Sequence, residues 1–190
     1  MVSGFDKASL RAGRLSERDA LSPHERTEKS RAICAAGLAG IDVSPGMAIS
    51  GYYPIRSEAD IMPLLAGFHG REAIVALPAV IDRETIVFRQ HDPALALINT
   101  GFGTKGPPID QPLVEPELIL MPLSAFDRQG NRIGYGAGHY DRAIARMRQK
   151  GLNPRLIGIA FACQEVAEVP AGPYDIPMNG VLTENGLFWF

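Results

Sequence analysis

The chain has 190 residues, 46% hydrophobic and 21% charged, so it is long enough for a sizeable core and does not belong to the disordered class. A formal net charge of -2 gives no overall attraction for nucleic acid or acidic membranes. The two cysteines, Cys34 and Cys163, lack the spacing of a zinc site or a disulfide framework. Residues 1–16 lack the apolar stretch of a signal peptide. We therefore expect one domain over residues 1–190 in the cytoplasm, monomeric or weakly dimeric, without a nucleic-acid or membrane partner.

Two helices are predicted in the first forty residues. Basic and apolar side chains recur at three- and four-residue spacing and would share one helical face: Lys7, Leu10, Arg11 and Arg14. The second helix should begin after Ser22, which has the pattern of an N-cap with Glu25 completing a capping box. It should end near Gly40.

Short apolar runs alternate with amphipathic stretches in the rest of the chain. Strands are predicted at residues 47–53, 73–77, 86–88, 118–121, 156–161 and 181–183. Helices are predicted after a cap at Ser57 and over residues 141–150, and a long surface loop over 99–116. This alternation predicts an α/β fold with a layered, mostly parallel sheet flanked by helices. Ligands of such sheets bind at the carboxyl ends of the strands, here after Tyr53 and Met121.

A glycine-rich segment precedes the last predicted helix, with glycines at alternate positions: Gly134, Gly136 and Gly138. Such glycines let backbone N–H groups and a helix N-terminus approach an anion. Arg132 and Arg142 could contact phosphate, and Asp141 could hold magnesium. The segment is neither a Walker A loop nor a dinucleotide-binding fingerprint, and a tight connection without any ligand is the alternative interpretation.

Residues 126–142 read FDRQGNRIGYGAGHYDR and resemble the signature of 5-formyltetrahydrofolate cyclo-ligases, also called 5,10-methenyltetrahydrofolate synthetases. That signature is approximately FDxxGxRxGxGxGYYD, and His139 is the clear departure. Residues 7–11 resemble the family's N-terminal KxxLR element, residues 53–60 its folate-side strand and loop, and residues 178–184 its closing element.

The resemblance implies an enzyme that converts 5-formyltetrahydrofolate to 5,10-methenyltetrahydrofolate, with ATP as co-substrate and Mg²⁺ as cofactor. Lys7, Arg132 and Asp141 would be catalytic. The ATP site implied by the motif comprises Lys7, Arg11, Arg132, Gly134, Tyr135, Gly136, Ala137, Gly138, His139 and Tyr140. Without the resemblance, Lys7 and Arg11 would be a solvated basic face, and Asp141 could instead be a helix N-cap.

The folate would be bound by Glu58, Tyr53 and Tyr135. Glu58 occupies the place of an acidic residue that accepts hydrogen bonds from the pterin, and the two tyrosines could pack against flat rings. The alternatives without a ligand are that Glu58 is a favourable charge at the start of a helix and that Tyr53 is a core residue. Lys105 could contact the glutamate tail, although a solvated loop lysine is the simpler interpretation.

The metal site would join Asp141 to Asn179, where the family usually has an aspartate. An amide ligates a cation more weakly, so Asp175 or Glu184 could take over this role. Asn179 and His139 motivate a second hypothesis, a folate- or nucleotide-binding protein with weak or lost turnover. A third is a related enzyme for another phosphorylated or CoA-linked substrate. The enzyme hypothesis requires Lys7, Glu58 and Asp141 to face one cleft.

Overall fold

Four α-helices, one short 3-10 helix (Ala162–Gln164) and eleven strands lie in the described part of the chain, residues 6–101 and 103–190 of a computed structural model. The helices are α1 (Lys7–Ala20), α2 (Pro23–Gly40), α3 (Met62–His69) and α4 (His139–Gln149). The strands are β1 (Ala48–Ser50), β2 (Ile74–Val80), β3 (Ile86–Gln90), β4 (Ile98–Gly101), β5 (Thr104–Gly106), β6 (Leu118–Pro122), β7 (Ala125–Phe126), β8 (Arg132–Ile133), β9 (Arg155–Ile159), β10 (Gly180–Thr183) and β11 (Gly186–Trp189). Residues 1–5, and Phe102 within the loop predicted over 99–116, lie outside the described residues.

Seven strands form the main sheet, in the order β11-β10-β9-β6-β1-β2-β3. The five inner strands pair in parallel, whereas β3 and β11 run antiparallel at the two edges. The prediction of an α/β fold with a mostly parallel sheet is therefore confirmed. Within the described ranges, no helix combines the length and apolar character needed to cross a membrane.

The central strand β6 is buried on both faces, which explains its continuous apolar sequence. Leu118 and Leu120 pack in the core that contains α2 and α3, whereas Ile119 and Met121 pack in the core that contains α4. Helices on both faces keep water from the parallel strands and leave their carboxyl ends open to the cleft described below.

Local capping signals predicted one helix start correctly and another wrongly. Ser22 caps α2 and forms the capping box with Glu25, as predicted. The cap predicted at Ser57 is wrong, since α3 begins at Met62 after Ile61, which makes no side-chain capping bond. The Ser57 hydroxyl bonds instead to Arg18 and Asp19 of α1, and this tertiary partnership outweighs the local signal.

The predicted loop over 99–116 is partly structured, because its first residues belong to the hairpin of β4 and β5. The C-terminal segment forms the edge strand β11, which the sequence analysis did not identify. Predicted strand 47–53 is shorter than expected: β1 ends at Ser50, and the chain continues as a loop that carries Tyr53 and Glu58.

The small hairpin of β7 and β8 sets the position of the glycine-rich segment. Asp127 is fully buried and accepts hydrogen bonds from the backbone N–H groups of Gln129, Asn131 and Val169, at 2.9–3.0 Å, and from the Asn131 side chain. Gly130 adopts φ +85°, and a Cβ there would lie 2.8 Å from the Met178 carbonyl oxygen. The Asp127 carboxylate thus fixes the turn that leads into Arg132 and the cleft.

Replacing Asp127 by alanine should destabilise the fold by about 3 kcal/mol or more, since several buried donors lose a charged acceptor. Chemical denaturation followed by circular dichroism measures this effect. Asp82→Ala is the control, because Asp82 also accepts two turn N–H bonds but is exposed. Equal unfolding midpoints for the two variants would contradict the role assigned to Asp127.

Candidate active site

A cleft of ≈ 460 Å³ opens at the carboxyl ends of the parallel strands. It is bounded by α1, the loop after β1, the hairpin of β4 and β5, and the glycine-rich segment before α4. All residues of the implied ATP and folate sites line it, together with Asp141: Lys7, Arg11, Tyr53, Glu58, Arg132, Gly134, Tyr135, Gly136, Ala137, Gly138, His139, Tyr140 and Asp141. Arg142 and Asn179 do not line it. The three residues that the enzyme hypothesis requires in one cleft, Lys7, Glu58 and Asp141, are among them.

One end of the cleft is formed by backbone and cations. Arg11 donates from Nε to the Gly134 carbonyl oxygen at 2.8 Å, which ties α1 to the glycine-rich segment. Gly136 and Gly138 have φ of +99° and +67°, conformations that residues with a Cβ rarely adopt. Gly138 is the N-cap of α4 and no side chain caps the helix, so its first N–H groups remain available to an anion.

Asp141 lies in the first turn of α4, so its alternative interpretation as the N-cap is wrong. Its Oδ1 accepts from Arg132 Nη2 at 2.7 Å and from the backbone N–H of Ile176 at 3.2 Å. The second guanidinium nitrogen of Arg132 donates to the Ile176 carbonyl oxygen. Arg132, which is largely buried, therefore links the start of α4 to the segment that carries Asp175.

Lys7 and Asp175 form an ion pair at the edge of the cleft. Partial burial favours the neutral acid, but hydrogen bonds from Lys7 and the Gly172 N–H outweigh it and lower the pKa of Asp175. Asp141 and Asp175 each use one carboxylate oxygen in the bonds described. Two carboxylates and a lysine thus face the same part of the cleft.

Glu58 lies at the other end, in a tight turn of the loop after β1. Its Oε2 accepts from the Ile55 N–H at 2.9 Å, and Arg56 takes the left-handed conformation with φ 54°. Oε1 is buried and makes no hydrogen bond within the described ranges. Burial raises the pKa of Glu58, although the Tyr135 hydroxyl, the Ile55 N–H and Arg18 act in the opposite direction.

Tyr53 and Lys105 come together at the rim of the cleft. Lys105 Nζ lies 5.5 Å from the centroid of the Tyr53 ring, and both residues line the cleft. Lys105 is exposed, and the hairpin of β4 and β5 holds it over this ring. The position is compatible with both interpretations of Lys105, the tail contact and the solvated lysine.

Asn179 and Glu184 do not reach the cleft, so the predicted pairing of Asn179 with Asp141 is not supported. The Asn179 amide oxygen accepts from the Leu156 backbone N–H at 2.8 Å, near the start of β9 and just before β10. Glu184 pairs with Lys29 and accepts from the Ala162 N–H. Of the side chains considered as replacements for Asn179, Asp175 alone lines the cleft.

Two further basic or ionisable side chains of the motif have backbone partners. Arg142 donates to the carbonyl oxygens of Glu84 and Ala137 at 2.8 and 2.6 Å, and it is not among the residues that line the cleft. His139 lines the cleft with its Nε2 located 2.9 Å from the Arg83 carbonyl oxygen.

Arg18 is a residue of this region that the sequence analysis missed. It is 1% exposed and donates to the hydroxyls of Ser57 and Tyr135 at 2.9 and 2.8 Å. Its spacing of seven residues from Arg11 and four from Arg14 was a signal, because those positions share one face of α1.

Comparisons with known proteins agree with the geometry. The 5-formyltetrahydrofolate cyclo-ligase family pattern matches residues 4–184. The 5-formyltetrahydrofolate cyclo-ligase of Mycolicibacterium smegmatis is 28% identical over 191 residues, 96% of this chain and 95% of that protein. The Escherichia coli K12 protein of the same name is 26% identical over 172 residues, 87% and 93% of the two chains.

Two solved structures share the fold. The 5,10-methenyltetrahydrofolate synthetase of Aquifex aeolicus superposes with a TM-score of 0.78 and 30% identity, covering 96% of this chain and 92% of that one. The Mycoplasma pneumoniae synthetase gives a TM-score of 0.76 at 24% identity, with coverage of 95% and 99%. Since the family pattern spans almost the entire sequence, the chain belongs to the 5-formyltetrahydrofolate cyclo-ligase family and is a ligase.

Proposed function

We propose that this enzyme converts 5-formyltetrahydrofolate, with ATP and Mg²⁺, to 5,10-methenyltetrahydrofolate, ADP and phosphate. The observation that carries the proposal is the shared cleft of Lys7, Glu58 and Asp141. It gives one cavity a cationic end, a carboxylate end and an open helix N-terminus. Such a cavity suits a phosphorylated nucleotide beside a substrate rich in N–H donors.

The chemistry follows from the weakness of a formamide as an electrophile. The formyl oxygen takes the γ-phosphoryl group of ATP, and ADP leaves. The N10 nitrogen then attacks the formyl carbon, the C–O bond breaks to release phosphate, and N10 loses its proton. The protein contributes positioning and charge stabilisation, as in other phosphoryl transfers.

Lys7 and Arg11 are proposed to bind the phosphates together with the N–H groups of the glycine-rich segment. Arg11 is already fixed on Gly134, and Lys7 on Asp175, so both cations are held beside the open start of α4. Fixed donors lose little side-chain entropy when phosphate binds, which favours recognition.

The residues present fit a magnesium ion at Asp141 and Asp175. Among the described residues, no three histidine, cysteine or acidic side chains cluster as a complete metal cage. Magnesium at nucleotide sites commonly uses one or two carboxylates and takes its other ligands from phosphates and water. When bound, the ion would neutralise charge on the transferred phosphoryl group. Arg132 orients Asp141, and Lys7 orients Asp175.

Glu58 is proposed to accept N–H donors from the pterin, since its Oε1 makes no hydrogen bond to any described residue and one carboxylate can accept two donors side by side. Tyr53 and Tyr135 would pack against the flat rings. The hypothesis of a binder without turnover is not favoured by any contact described here. Of the two residues that motivated it, Asn179 lies outside the cleft and His139 lines it. Lys7 also lines the cleft, as the enzyme hypothesis requires.

Purified protein mixed with 5-formyltetrahydrofolate, ATP and Mg²⁺ should produce an ATP-dependent rise in methenyltetrahydrofolate absorbance. The reaction without ATP is the control. Tight folate binding without any ATP-dependent product would instead establish the binding-protein hypothesis.

Asp141→Ala should lower kcat by about a thousandfold or more, because it removes a carboxylate at the phosphoryl-transfer site. Steady-state kinetics at saturating Mg²⁺ measures this loss. Asn179→Asp is the matched comparison, and we expect its magnesium titration to be unchanged. A lower magnesium requirement in Asn179→Asp would return that position to the metal site.

Asp175→Asn should raise the Mg²⁺ concentration for half-maximal rate by about tenfold, since losing a supporting carboxylate typically weakens metal binding by 10–100-fold. Glu184→Gln is the control, because Glu184 pairs with Lys29 away from the cleft. An equal shift in both variants would show that the effect is a general loss of stability rather than a loss of metal binding.

A further inference from the structure

Arg18 is a buried cation without a direct carboxylate partner. It is 1% exposed, its Nε donates to Ser57 Oγ and its Nη1 donates to the Tyr135 hydroxyl. Nη2 is buried and makes no hydrogen bond within residues 6–101 and 103–190. Burying a charge is costly when no opposite charge contacts it, so these contacts need a reason beyond stability.

Arg18 donates to two hydroxyl groups. Ser57 accepts from Arg18 and donates to Oδ1 of Asp19. Tyr135 likewise accepts from Arg18, and it lines the cleft together with Glu58, whose buried Oε1 makes no hydrogen bond among the described residues. A guanidinium has only donors, so the phenolic oxygen must accept from it. The phenolic proton is then free to point toward Glu58.

The Tyr135 ring is held in this arrangement from the same side. The Arg18 guanidinium carbon lies 5.7 Å from the ring centroid, close enough for a cation–π contact. Burial, together with the neighbouring Glu58, raises the pKa of Tyr135, so the hydroxyl keeps its proton near neutral pH. It can therefore serve as a donor throughout the working range.

We propose that Arg18 is a positioning residue for the folate end of the cleft, acting through the Tyr135 hydroxyl to hold the Glu58 carboxylate ionised and oriented toward the substrate. This inference rests on the proposed function, because it assigns the substrate's N–H donors to Glu58. It differs from a purely structural role of Arg18, which would affect both substrates alike.

The charged and titratable groups around Glu58 decide how binding should depend on pH. They come from α1, the loop after β1, the glycine-rich segment and the start of α4: Arg18, Tyr52, Arg56, Tyr135 and Tyr140. Burial raises the pKa of Glu58, and Tyr135 and Arg18 act against that rise. Folate affinity that needs the carboxylate is present above this pKa and is lost as the pH falls through it. Without Arg18 or the Tyr135 hydroxyl, the loss should begin at higher pH.

The test compares Tyr135→Phe, Arg18→Met and the double variant with the parent enzyme. Tyr135→Phe removes the hydroxyl but keeps the ring beside Arg18. We expect each single change to raise KM for 5-formyltetrahydrofolate by about tenfold, the scale of one hydrogen bond to a charged group, and to change KM for ATP less than about twofold. The acid limb of kcat/KM should move up by about one pH unit. The double variant should be no worse than either single variant, because both act through one contact.

Arg31→Met is the control, on the neighbouring helix α2. Arg31 is exposed, pairs with Glu28 of its own helix and does not line the cleft. The variant should leave the pH profile and the two KM values unchanged.

Equal rises in both KM values, or an unmoved acid limb in Tyr135→Phe, would overturn the positioning role. Tyr135→Phe decides the question if Arg18→Met does not fold. If the parent enzyme forms no product, calorimetric binding of 5-formyltetrahydrofolate across the same pH range still tests Arg18. Failure of the proposed reaction and failure of this inference therefore give different results.

Discussion

Helix α1 is attached to the rest of the protein largely by arginine side chains, and the geometry of the cleft depends on that attachment. Arg11 donates to the Gly134 carbonyl oxygen, Arg14 to that of Cys163, and Arg18 to the hydroxyls of Ser57 and Tyr135. Arg18 is the buried residue of this helix. Charge-assisted bonds to three separate segments fix the rotation of α1 about its axis, so that Lys7 lines the edge of the cleft.

The same arginines connect the two ends of the cleft, which differ in their chemistry, through helix α1. The glycine-rich segment provides backbone donors at the cationic end, and Tyr135 of that segment lines the cleft together with the buried Glu58. A nucleotide and a folate bound side by side would therefore contact one continuous stretch of chain. This continuity explains why so many motif positions line the cleft: the alternating glycines expose backbone, with Tyr135 and Ala137 between them and His139 directly after the last one.

Features that depend on neighbouring residues could be predicted from the sequence, and features that depend on distant partners could not. The capping box at Ser22 and the buried run of β6 are local, and the structure has both. Ser57 carries an equally good local cap signal, but Arg18 and Asp19, far away in the sequence, take its hydroxyl. The sequence of the edge strand β11 shows no clear alternation of apolar and polar residues, and several of its aromatic residues are exposed. The strand could be recognised only from its pairing with β10 in the sheet.

The predicted pairing of Asn179 with Asp141 also depended on contacts between distant residues. Within a contiguous motif, the spacing of residues determines which side chains share a surface. The resemblance to the family motif therefore predicted together that residues 132–141 line one cleft. Asn179 belongs to a separate element, residues 178–184, and the placement of its side chain relative to Asp141 depends on how the preceding segment crosses the sheet to β10. That crossing is set by Arg132, whose guanidinium bonds both to Asp141 and to the Ile176 carbonyl oxygen. Because Ile176 adjoins Asp175, the buried arginine holds the second carboxylate beside the first. The departure from the family pattern at position 179 therefore leaves the acidic side of the cleft intact.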